Sequence, residues 1–71
     1  MPSYPPVDES RDRLQRAGWL LGETCFGQRW QVDGSNGENR LLAVGASQAE
    51  AWYRATVQAR ELGMLALVRE E

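Results

Sequence analysis

Gly45-Ala46-Ser47-Gln48-Ala49-Glu50 is the stretch that decides the fold. It reads as the end of a strand running directly into a capped helix. A Ser at the N-cap can accept a hydrogen bond from an orphan N–H of the first turn. A Glu three residues later can reach back to a backbone N–H ahead of the helix, here that of Ser47. Downstream, Ala49, Trp52, Ala55, Thr56, Ala59 and Leu62 share one face at 3.6-residue spacing, which predicts an amphipathic helix over Gln48–Leu62. Glu50, Arg54, Gln58 and Glu61 fall on the opposite face, with Glu50 and Arg54 spaced as an i,i+4 ion pair. Gly63 is placed to end the helix.

Upstream, the same block is preceded by a hairpin pattern. Residues 28–33 alternate, with Trp30 and Val32 on one side and Arg29, Gln31 and Asp33 on the other. Asp33-Gly34-Ser35-Asn36-Gly37 contains a D-G and an N-G pair, so the turn is expected there, and a third strand returns over Asn39–Val44. A first strand is expected over Trp19–Thr24, followed by a turn at Cys25-Phe26-Gly27. Asp8–Ala17 reads as a short helix capped by Asp8 or Ser10 and ended by Gly18. Ahead of it, residues 1–7 hold all three prolines and read as a flexible Pro-rich arm. Residues 8–71 then form one α+β domain. Its core is a three-stranded antiparallel meander, with the C-terminal amphipathic helix on one face and a short N-terminal helix.

At 71 residues the chain is near the lower size limit for a self-sufficient core. Cys25 is the only cysteine, so no disulfide can form within the chain, and with no His no metal site is expected. The net charge is −2 and the eight basic residues are all Arg, which gives no global attraction to nucleic acid or anionic membrane. No apolar run approaches a membrane span, and the unpaired Cys with a polar N-terminus predicts a cytoplasmic setting. No cofactor is expected: the glycine-rich 34–37 loop joins two strands and has no following Lys, so it fits no phosphate-cradling pattern. Without His or an activated nucleophile the chain is not read as an enzyme. Core is the expected place for Trp30 and Trp52, whereas Trp19, just after a helix terminator, is the tryptophan expected to be most exposed.

The strands flanking the hairpin are apolar on both faces: Trp19-Leu20-Leu21 and Leu41-Leu42-Ala43-Val44. One helix covers one face of a small sheet. The other needs the N-terminal helix, the 64–68 tail or a second copy of the chain. That makes Leu20, Leu42 and Val44, with Leu65 and Leu67 of the tail, the candidate interaction surface. The tail itself is open to a strand, a helix or an arm. The leading expectation is a non-enzymatic binding or assembly module whose partner is protein, with a homodimer foremost. The alternative is a nucleic-acid-binding module contacting phosphates through Arg29, Arg40 and Arg54, the first two brought together across the hairpin.

Helix, three antiparallel strands and helix, with Gly45-Ala46-Ser47-Gln48-Ala49-Glu50-Ala51-Trp52 leading into an Ala-rich helix, resembles the double-stranded-RNA-binding domain over roughly residues 8–63. The resemblance implies an α-β-β-β-α fold and, where the family's lysine cluster stands at the start of this helix, phosphate binding. In this chain those positions hold Gln48, Ala49 and Glu50.

Overall fold

A computed structural model describes residues 3–63. The elements follow the order α1 (Val7–Arg16), β1 (Leu20–Phe26), β2 (Arg29–Asn36), β3 (Asn39–Gly45) and α2 (Gln48–Glu61). The strands form one antiparallel sheet in the order β1-β2-β3. Both helices lie on the same side of it: α2 packs on β3 and β2, and α1 packs on α2. This is the expected α+β architecture.

The helix start is built much as its sequence indicates, with one shift. Ser47 Oγ accepts from the Glu50 N–H at 3.1 Å, but the Glu50 carboxylate receives the Ala46 N–H at 2.9 Å rather than that of Ser47. The box therefore closes one residue further back and ties the strand-to-helix corner to the helix. At α1 the N-cap is Pro6 with no side-chain cap. Asp8 instead pairs with Arg11 at 2.6 Å. Ahead of α1, Tyr4 packs on Tyr53 of α2 with ring centroids 5.5 Å apart.

Both hairpin turns sit two residues or so later than the sequence cues suggest. Phe26 pairs with Arg29 and Asn36 with Asn39, so the loops are the two-residue units Gly27-Gln28 and Gly37-Glu38. Each has positive φ at its first residue only, +60° at Gly27 and +64° at Gly37, as a Gly-X hairpin turn requires. Gly34 is thereby drawn inside β2. A Cβ there would meet Leu21 Cδ2 at 2.9 Å and Trp19 Cε3 at 3.3 Å. Its role is to make room for those side chains, not to turn the chain.

The core joins Leu14 of α1, Trp19, Val32, Leu41 and Ala43 of the sheet side, and Ala51, Trp52, Ala55 and Ala59 of α2. Trp19 is buried, 3% exposed, contrary to its expected exposure, because it folds back over Gly34 while its backbone N–H donates to Leu14 O. The alanines let α2 approach the sheet closely, and Trp52 fills the depth beside them, with the Arg11 guanidinium 5.5 Å above its ring. On α2, Ala51 joins the buried face, while Leu62 at the helix end stays 48% exposed.

Candidate functional site

Strand register assigns the second face of the sheet residue by residue. Directly paired residues share a face, so Leu20, Ser35 and Arg40 form one row, Gly22, Asp33 and Leu42 the next, and Thr24, Gln31 and Val44 a third. Phe26 and Arg29 close the far end. No described residue covers this face. Leu20 is 76% exposed, Phe26 61% and Leu42 54%. Its middle strand is polar (Arg29, Gln31, Asp33, Ser35), so the apolar groups occupy the two outer strands. The structure therefore brings Leu20, Leu42 and Val44 onto one surface, with Val44 half-buried in a groove shared with Glu50 and Arg54, and adds Phe26, which reading the turn at 25–27 hides. Leu65 and Leu67 lie outside the described residues.

The two edges of this sheet differ in construction. At β3, Gln58 of α2 reaches over the edge. The Leu42 N–H donates to Gln58 Oε1 at 3.1 Å and Gln58 Nε2 donates to Leu42 O at 2.6 Å. A carboxamide here reproduces the two bonds a neighbouring strand would make. Arg54 Nη1 adds a bond to Val44 O at 3.2 Å and its Nη2 an ion pair to Glu50 at 2.7 Å. These helix residues, expected to face solvent, instead seal the strand edge.

Among the described residues the backbone of the β1 edge has no such cover, and the extended contacts of β1 are with β2. Its free groups follow from alternation. The Leu42 backbone points outward, so that of Asp33, opposite it, points toward β1 and pairs with Gly22. Gly22, Thr24 and Phe26 therefore direct their backbone groups inward. Leu21, Glu23 and Cys25 direct theirs away from the sheet. Near this edge Gln48 Nε2 donates to Glu23 Oε2 at 2.5 Å.

The arginines do not form one patch. Arg29 and Arg54 line an open groove of about 520 Å³ with Phe26, Val44 and Glu50, but Arg54 is already committed to Glu50 and Val44 O. Arg40 is paired with Ser35, six residues along β2 from Arg29, which puts the two about 20 Å apart. The expected proximity of Arg29 and Arg40 fails because the turn lies at Gly37-Glu38.

Among the described residues no His, Cys, Asp or Glu side chains cluster to hold a metal ion, and no helix is long and apolar enough to cross a membrane. Fold and surface together define a small α+β domain with both helices on one side of the sheet and, among the described residues, nothing packed on the other. The chain matches no protein-family model, no curated protein and no solved structure.

Proposed function

We propose that this protein is a non-enzymatic binding and assembly module that associates with a second copy of itself through the uncovered side of its sheet. The observation that carries this reading is the exposure of Leu20, Phe26 and Leu42 on one face in a chain this small. Leaving three large apolar side chains in water gives up stabilisation that a small core can least spare, and an interface recovers it. Sedimentation equilibrium up to millimolar concentration is the test. It should show a concentration-dependent dimer that Leu20→Asp weakens. A strict monomer over the whole range would overturn the reading.

The alternative, a nucleic-acid-binding module of the kind the double-stranded-RNA-binding domain represents, draws support from the shared α-β-β-β-α order. Its arginines are dispersed over the surface, so it predicts at most weak duplex binding that disappears as salt is raised. A salt-dependent, saturable complex with duplex RNA at low ionic strength would favour it over self-association.

A further inference from the structure

Resting on the self-association reading, we infer that two copies join edge to edge, β1 against β1 in antiparallel register centred on Glu23, so that two three-stranded sheets become one continuous sheet. Three features of the strand carry this. The first is availability: the β3 edge is closed by Gln58 and Arg54, whereas among the described residues the outward N–H and C=O groups of Leu21, Glu23 and Cys25 have no strand beside them. A regular seven-residue edge strand with no Pro, Lys or bulge is a ready template for pairing.

The second is symmetry of the backbone. The outward-facing residues are spaced evenly about Glu23. A two-fold axis through that position puts Leu21 opposite Cys25 of the other copy and Glu23 opposite its own equivalent, all as hydrogen-bonded pairs. Shifting the strands by two residues in either direction leaves one of these residues unpaired on each copy. The centred register alone uses all of them.

The third is symmetry of the side chains. On the uncovered face the same axis sets Leu20 opposite Phe26 of the other copy, and Phe26 opposite Leu20. These are non-hydrogen-bonded pairs, in which side chains approach most closely. The two most exposed large apolar residues among those described thereby cover each other. A second copy matches this pattern by symmetry, since it carries the same apolar groups at both ends of the strand in the same register. Glu23 facing its own equivalent works against the pairing. Strand pairing of this length buries little area, so the association is weak and reversible.

Glu23→Pro is the direct test. The Glu23 N–H points away from β2, so proline there removes the central interstrand donor without breaking the β1–β2 ladder. The variant is expected to melt as a folded protein and to sediment as a monomer where the wild type is dimeric. Glu23→Gln, which removes the like-charge opposition, is expected to tighten the dimer about fivefold. In a Cys25→Ala background, Glu23→Cys is expected to oxidise to a dimer linked at position 23, because hydrogen-bonded pairs hold Cα atoms at a separation a disulfide can span. The Thr24→Cys control in the same background should not.

This crosslinking result stands whether or not the proline variant folds. A Glu23→Pro dimer as tight as wild type, or crosslinking at 24 but not at 23, overturns the edge pairing. If Leu42→Asp then separates the copies, contact through the face survives as the mode of assembly. A wild-type monomer at millimolar concentration overturns both.

Discussion

The two edges of the sheet carry strands of equal length and opposite fates. β3 and β1 are each seven residues long, and both carry exposed leucine on the same face. Yet β3 is closed along its backbone by a glutamine and an arginine from α2, and β1 by nothing among the described residues. Connectivity is the cause. β3 runs directly into α2 through the Ser47 cap, so the helix returns along the strand it has just left and its flank falls over that edge. At the far edge α2 reaches only the Glu23 side chain, through Gln48, and no described residue caps the backbone there. Edge protection here is a by-product of a tight strand-to-helix corner, and it comes on one side only.

The corner is therefore the place to break the asymmetry with the largest effect. Gly45 ends β3 where α2 crosses it, and a Cβ there would sit 2.6 Å from the Ala51 backbone N and 3.0 Å from Glu50 Cβ. Backbone cannot yield as a side-chain tip can. Gly45→Ala must push the helix away, and with it Gln58 and Arg54. The expected cost is about 2–3 kcal/mol, the upper part of the range for overpacking, read as a fall of roughly 10–20 °C in melting temperature. A shift of only a degree or two would mean that the corner tolerates displacement and does not hold α2 over the edge.

A smaller effect isolates the seal itself. Gln58→Ala leaves the corner intact and uncovers the Leu42 N–H and C=O, which then turn to water. The expected loss is about 1 kcal/mol, since solvent replaces most of what the carboxamide supplied. The more telling readout is hydrogen exchange. The Leu42 amide should lose protection while those of β2 keep theirs. Equal exchange in the variant and the wild type would show that Gln58 contributes nothing to the edge.

How much of this was legible in the chain differs between local and lateral features. The capped helix, the Glu50–Arg54 pair and the antiparallel meander follow from spacing alone, because each depends on neighbours within a few residues. The turn positions did not. The D-G and N-G pairs signal a turn, but Gly34 is needed for the volume of Trp19 and Leu21, a contact no local pattern reveals. The burial of Trp19 is hidden from local pattern for the same reason: it depends on the space left at Gly34 on another strand. Gln58 and Arg54 fall on the polar side of a helical wheel. A wheel gives direction about the helix axis but not the sideways position of the helix over the sheet, and that offset converts a solvent face into an edge seal. On the uncovered face, Leu20, Leu42 and Val44 were visible as surplus apolar residues, whereas the polar middle strand between them emerges only from the register.

The bare edge should behave in the opposite way to the corner, and there the smallest effect on folding is expected. Phe26 is 61% exposed at the end of β1, beside Arg29 and opposite no side chain of α2. Phe26→Thr keeps a residue that suits a strand and gives up little buried area, so the monomer should lose no more than about 0.5 kcal/mol. Measured in dilute protein, its denaturant midpoint should nearly coincide with that of the wild type. At high concentration the two should part, because the wild type gains stability from association and the variant gains less. A large loss in dilute protein would mean that Phe26 holds the fold together. The exposed end of β1 would then be part of the domain's own packing, and the contrast between the edges would rest on the backbone alone.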